Sequence, residues 1–384
     1  MNEKIQIVLT GDFMLESNYL NFKKKQGNTI YYPFSNLKKE ILENNDIFFT
    51  NLECTLSNNG SSMRKNTGPQ LYSPPNEIFP LFKYLGVNVI SLSNNHINDF
   101  SENDLEITKK ILEEKNFAVF GAGKNIKEAN KEVIIEKNNI KIGFLGYTTN
   151  TDKDHISPDI GASIATNINA GCVYYDINQI KEDIQHLKSK TDFVLISLHW
   201  GYELFNYPSP KQIELAHNII NAGADIIIGH HPHVIQGIEN YNNGIIFYSL
   251  GNFFFWNYNN VPQIPNDCNE FLIARCELDT SGSKKFEIFP GYLDNNYKLK
   301  LYKNKEKEKT LKRIKKLSDE IKMENYEEFW NNYQTKRKKY LKIIKFRGLL
   351  IEFYFKIKKE GLKGILNKNF VKTIKNQILI LIQK

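Results

Sequence analysis

Cysteine is scarce in this chain: four residues in 384, at positions 54, 172, 268 and 276, with no Cys-x-x-Cys pair. So few and so scattered, they exclude a disulfide framework and a thiolate metal cluster, and they read as reduced thiols. Long apolar runs are missing too; nothing approaches the ~18 residues of a membrane span. The opening MNEKIQIVLTGD is a short apolar strand and a turn, without the roughly 7–15-residue apolar segment of a signal peptide. From these absences the chain is expected in the cytoplasm, or at most attached to a membrane surface. Acidic residues are thin at one end. Residues 301–384 carry 24 Lys+Arg against 9 Asp+Glu, whereas residues 1–300 carry 27 against 34. An acidic body of 1–300 joined to a basic tail of 301–384 suggests two units with different partners. Histidine is scarce as well, with eight in all. Three of those eight fall within four residues, in GADIIIGHHPHVIQGIE (223–239).

What is present is an alternation. Apolar runs at 4–10, 46–52, 88–93, 193–198, 224–229 and 244–250 read as buried strands. Between several of them lie stretches of helical period at 101–115, 176–190 and 209–223. The first opens with a Ser101/Asp104 pair resembling a capping box. The last starts after Pro208 and closes on Gly223. Residues 131–147 read as a hairpin turning at Asn138-Asn139. The later strands at 271–278 and 285–293 have no helix between them. The expectation is a layered α/β domain with mixed sheets.

In such domains ligands sit beyond the carboxyl ends of strands. The residues that follow the six apolar runs are Gly11-Asp12, Asn51-Leu52-Glu53, Asn94-Asn95-His96 with Asp99, His199-Trp200-Gly201, Gly229-His230-His231-Pro232-His233 and Leu250-Gly251-Asn252. Ordinary turns are rich in Gly, Pro and Ser; these are rich in metal-ligand types, and all are expected at one sheet edge. Around Pro232, an extended segment would put His231 and His233 on one face, with His230 opposite as a supporting residue. Asp12, Glu53, Asn95 and His199 would complete a mixed N/O set suited to a divalent transition metal, Mn²⁺, Fe or Zn²⁺.

The motifs GDFML (11–15), NLECTLS (51–57), SLSNNHINDF (91–100), FGAG (120–123), SLHWGYE (197–203), GADIIIGHHPHVIQGIE (223–239) and IFYSLGNFFF (246–255) together resemble the CapA family of capsule and poly-γ-glutamate biosynthesis proteins, within the calcineurin-like metallophosphoesterases. The resemblance implies a four-layer α/β/β/α sandwich, continued here by a basic helical extension. It implies metal ligands at Asp12, Glu53, Asn95, His199, His231 and His233, one or two ions, and Glu53 as the bridging carboxylate. It makes His96 the acid or transition-state stabiliser, oriented by Asp99. It implies a phosphoesterase-like hydrolase; the alternative is a factor that binds or assembles an anionic capsule polymer without hydrolysis. One departure stands out. The superfamily's first motif is Asp-x-His, and here it is Asp12-Phe13-Met14, so one site lacks an imidazole.

Other residues carry weaker signals. Arg64, in the polar loop 61–72 with Lys65, is a candidate contact for an anionic substrate, as are Tyr202 and Glu203. Asn252 would touch a ligand or support a histidine. Trp200 reads as packing, and Asp152, Asp154 and His155 as a surface segment. The tail's basic amphipathic stretches would pack on the body or lie on an anionic membrane surface. Specific nucleic-acid binding is not expected, since no stacking platform or groove-reading motif is visible.

Overall fold

The computed structural model describes residues 3–15, 17–58, 71–100, 102–149, 163–255 and 264–365. Two large sheets form its centre. In the first, described strands run in the order Leu299–Leu301, Lys284–Leu293, Glu270–Asp279, Lys4–Phe13, Ile47–Leu52, Val89–Ser91, Ala118–Phe120, with Asn252–Phe254 also paired to Lys4–Phe13. In the second the order is Ile238–Tyr241, Gly244–Phe247, Ile226–His230, Phe193–His199, Ile140–Thr148, Val133–Lys137. Each sheet has a parallel block, from Lys4–Phe13 to Ala118–Phe120 in one and from Ile140–Thr148 to Gly244–Phe247 in the other. Antiparallel strands lie outside each block.

The layering follows from alternation along the strands. Ile5, Ile7 and Leu9 turn to one face of the first sheet, with Ile47 and Phe49, and meet Phe193, Leu195, Ile226 and Ile228 of the second. The residues between them face outward: Val8 and Phe48 on one side, Val194, Ile196 and Ile227 on the other. A period of two thus fills a core between the sheets and leaves an apolar outer face on each. Helices Ser17–Gln26, Pro75–Leu85 and Glu102–Glu114 cover the first outer face through Tyr19, Ile78, Phe82, Leu105 and Leu112. Helices Ile177–Lys188 and Pro210–Asn221 cover the second through Ile180, Ile184, Ala216 and Ile219. The result is an α/β/β/α sandwich.

Local signals explain where elements start and stop. The Asp176 side chain accepts from the backbone N–H groups of Asn178 and Gln179, and Ser209 forms a capping box with Gln212. Ser101, where another capping box is expected, lies outside the described residues. Asn138 and Asn139 turn the Val133–Lys137/Ile140–Thr148 hairpin with φ of 51° and 53°, as a two-residue turn of that hand demands.

Residues past 300 begin as part of the packing. Helix Asn304–Glu320 sends Ile314 into the inter-sheet core, and Leu317, Ile321, Tyr326 and Trp330 join the second outer core. Among the described residues no helix is long and apolar enough to cross a membrane.

Candidate metal centre

The carboxyl ends of the two parallel blocks meet. The segment from Tyr248 to Gly251 leads from the second sheet to the first and packs closely on a strand of each: a Cβ on Gly229 would lie 1.9 Å from the carbonyl oxygen of Tyr248, and one on Gly11 would lie 1.9 Å from that of Gly251. Only glycine fits at either place. A further tie is the 3.1 Å hydrogen bond between the hydroxyls of Ser91 and Ser197, one from each sheet. The polar residues after the six runs therefore come to one place, but from two sheets facing each other, not from one sheet edge. The single-edge expectation misses this because the pairing of strands more than a hundred residues apart is set by packing, not by local pattern.

Asp12 ends strand Lys4–Phe13 and is fully buried. Its Oδ1 accepts from Asn51 Nδ2 at 2.8 Å and its Oδ2 from the His231 backbone N–H at 3.1 Å. His230 Nδ1 lies 3.2 Å from Oδ1 and His233 Nδ1 lies 3.4 Å from Oδ2. Burial alone would push this carboxyl up, but the imidazoles of His230 and His233 beside it outweigh burial and hold the group well below the usual carboxylate range. Asn51 is held in turn by Asn94, whose amide also donates to the Leu52 carbonyl at 2.8 Å.

Glu53 is the contrast. Its side chain is fully buried, yet neither carboxylate oxygen has a hydrogen-bond partner among the described residues. Burial pushes the carboxyl well above its ordinary range, and the Asp12 charge adds to the shift. A buried carboxyl without a hydrogen bond costs several kcal/mol unless something compensates. Ligand atoms surround it. Glu53, His199 and His231 bring one ligand atom each to within 4.8 Å of one another, and so do Asp12, Glu53 and His233. Glu53 belongs to both groups.

The first group is crowded with acceptors. His199 Nε2 lies 2.7 Å from Asn95 Oδ1, 3.1 Å from His231 Nδ1 and 3.6 Å from Glu53 Oε1. Burial pushes both imidazoles down, His199 well below its ordinary value and His231 to about 4. Neutral rings carry lone pairs, and one ring proton cannot serve three acceptors. This donor set, with an orphaned carboxylate at its middle, fits a divalent cation. In the second group, burial again lowers the His233 ring, but the Glu53 and Asp12 carboxyls prevail and raise it to about 10. Asn252 Oδ1 sits 2.9 Å from His233 Nδ1, and its amide donates to the Cys268 carbonyl at 2.9 Å.

Beside the ligands, His96 Nδ1 is 2.7 Å from Asp99 Oδ2, which also accepts from the Leu71 backbone N–H at 2.8 Å. Both side chains are buried. The contact with Asp99 leaves the opposite ring nitrogen, Nε2, pointing away from that carboxylate. Glu203 is exposed, but its charge reaches Glu53, His231 and His233. Tyr202 packs against Phe205 and Trp330, with ring centroids 5.2 and 5.5 Å away. Trp200 is buried, stacks on Tyr248 and donates to its carbonyl oxygen. Arg64, Lys65, Asp152, Asp154 and His155 lie outside the described residues.

Two local expectations need revision. His231 and His233 do not occupy an extended segment; strand Ile226–His230 has ended, and their φ values are 91° and 56°. Strained left-handed backbone, not strand alternation, turns both rings inward. His230 is a supporting residue, but it is not turned away from the centre: it contacts Asp12 directly. Asn51, which holds Asp12, and Asn94, which holds Asn51, do not stand out in the sequence as site residues. Their signal was a run of buried amides in NLE and SNNH, at places where turn residues would be usual. Phe13 and Met14 are buried in the outer core, so no imidazole enters the centre from the first motif.

The sequence model described as "Bacterial capsule synthesis protein PGA_cap" matches residues 6–257. The capsule biosynthesis protein CapA of Bacillus anthracis is 32% identical over 259 residues, 66% of this chain and 60% of that one. The PGA biosynthesis protein CapA of Bacillus subtilis is 32% identical over 215 residues, 56% of this chain and 53% of that one. The chain thus spans little more than half the length of these relatives. Among solved structures, a phosphatase from Mycoplasma pneumoniae aligns with a TM-score of 0.47 at 13% identity, over 76% of this chain and 94% of that one. With the matched residues covering every strand end that feeds the centre, this chain belongs to the bacterial capsule synthesis family of CapA-type proteins.

Proposed function

We propose that the chain acts in capsule or poly-γ-glutamate biosynthesis through a metal-dependent hydrolase centre of phosphoesterase type. The observation that carries this reading is Glu53, buried without a hydrogen bond and shared by two three-ligand groups. Asn95, His199 and His231 with Glu53 would hold one cation; Asp12 and His233 with Glu53 would hold a second. The mixed N/O donors suit Mn²⁺, Fe or Zn²⁺. A cation there supplies Lewis acidity toward a phosphoryl or related oxyanion.

The chain's own groups do the rest. Asp99 fixes the His96 ring through Nδ1, so that a proton at Nε2 can be delivered to a departing oxygen. His230, Asn51 and the His231 N–H keep Asp12 ionised and oriented. Asn252 holds His233 in place, which makes it a positioning group rather than a substrate contact. Glu203, exposed beside the ligands, would bias the entrance against unscreened anions. A second reading is favoured by Met14: with no first-motif imidazole, the weaker group would serve to bind an anionic capsule polymer without cleaving it.

The test is turnover of a p-nitrophenyl phosphomonoester or phosphodiester by the purified protein with Mn²⁺. Turnover that is lost in His96→Ala while metal content stays the same supports hydrolysis. Metal uptake with no turnover, but with retention on polyglutamate, supports the second reading. Turnover unaffected by His96→Ala would defeat the mechanism.

A further inference from the structure

The C-terminal helix Tyr326–Ile365 has 40 residues, about 60 Å at 1.5 Å per residue. Its first part is bound to the body. Trp330 is buried, Tyr333 accepts from the Asn206 N–H at 2.8 Å, and Arg337 Nε donates to the Leu204 carbonyl at 2.7 Å. Leu341 is the last residue seen packing on that core. Beyond this root the composition changes. Between Glu328 and Glu352 there is no acidic residue, while Lys336, Arg337, Lys338, Lys339, Lys342, Lys345 and Arg347 are all basic.

The apolar residues of this stretch are not hidden. Tyr340, Ile343, Phe346 and Leu350 are 45%, 41%, 40% and 49% exposed. Their spacing of three, three and four places them on one side of the helix. Exposed Lys336, Lys339 and Arg347 interleave that side and Lys342 flanks it; Tyr340 borders the root stripe, beneath the Arg337 guanidinium, while Ile343, Phe346 and Leu350 turn away from the root.

We propose that this face of the helix, Lys336 to Leu350, docks on an anionic lipid surface. Charge complementarity commits it to an anionic occupant: apart from Arg337, which lies 3.5 Å from Asp267, six cations follow one another with no acidic residue among them, and they would repel one another without an anionic partner. The exposed aromatic and aliphatic side chains select a lipid surface among such occupants. A soluble polyanion has carboxylates for the lysines but nothing to cover Tyr340, Ile343, Phe346 and Leu350, whereas a bilayer interface takes both. A second copy of this chain would have to offer an acidic and apolar patch together. The consequence is positional. The helix root grips the loop after His199, through Leu204 and Asn206, so a docked helix sets the distance between the surface and the metal centre.

The experiment is co-sedimentation of the full chain with vesicles of phosphatidylcholine alone or with phosphatidylglycerol. Three proteins are compared: the unaltered chain, the triple reversal Lys339→Glu, Lys342→Glu, Lys345→Glu, and the pair Ile343→Ser, Phe346→Ser. All five positions are exposed, and unchanged metal content and melting temperature verify folding. The unaltered chain is expected to pellet with phosphatidylglycerol vesicles only, with a partition coefficient falling by about tenfold or more in either variant and at raised salt. No pelleting overturns the proposal. Loss in the charge reversal but not in the serine pair also overturns it, since a purely ionic contact is then enough. Concentration-dependent dimerisation abolished by the serine pair assigns the face to a second copy and overturns it likewise.

Discussion

The two halves of the centre share one carboxylate and differ in almost everything else. On one side of Glu53 stand His199, His231 and Asn95, with both rings held neutral by burial. On the other stand Asp12 and His233, an ion pair in which the ring is pushed up to about 10. Neutral imidazoles can accept a cation as they are. The ion pair must first surrender a proton. Met14 is buried in the core, so position 14 brings no imidazole to either half. On the proposed reading, shared ligands would not make equal sites: the first half would take a metal as it stands, and in the second a proton would compete with one.

The largest expected effect comes from removing what the halves share. Glu53→Leu should reduce hydrolytic turnover to background, because both groups lose a ligand. The metal-free protein should melt no lower, and its stability should rise by about 1–3 kcal/mol as a buried carboxyl without a hydrogen bond disappears. A large drop in the melting temperature would mean that Glu53 is structural. Next comes His96→Ala, expected to lower kcat by about 10²–10⁴ with metal content unchanged. Asp99→Asn should cost less, since the Leu71 N–H keeps an acceptor. Steady-state kinetics beside elemental analysis separate these outcomes.

The comparison itself is sharpened by His231→Ala against His233→Ala. Calorimetric titration with Mn²⁺ should show the tight event lost in the first and retained in the second; equal losses would make the halves equivalent. The smallest effect on turnover is in pH, which acts on the stability of the metal-free protein. His231 sits at about 4 in the fold against an ordinary value of about 6.5. Stability of the metal-free protein is therefore full above about 6.5 and declines as pH falls toward 4, when only the unfolded chain accepts the proton. His233 is the reverse. Its contribution is full below about 6.5 and is lost as pH rises toward 10. Thermal melts across that range should show both limbs, with His233→Gln erasing the alkaline one.

The strands were legible because burial on both faces leaves near-continuous apolar runs; the run at 193–198 is the strand Phe193–His199. So were helix Pro210–Asn221 and its cap, which are local. Strand pairing was not. Nothing in the run 252–254 announces that Asn252 pairs with Asp12, and no periodicity shows that the ligands arrive from two sheets. Residue types at strand ends pointed to a cation site, but their division into two unequal groups depends on burial and on distances of three or four ångström. His231 shows the limit best. Pattern suggested an extended backbone, and the chain instead takes φ of 91° there, because the ring must reach His199 and Glu53 together.

The most direct test of the shared-carboxylate centre is elemental analysis of the gently isolated full chain beside Glu53→Gln. The account predicts at least one divalent transition-metal ion per chain, strongly reduced in the variant. No stoichiometric ion in the unaltered protein, or equal metal in both, would contradict it.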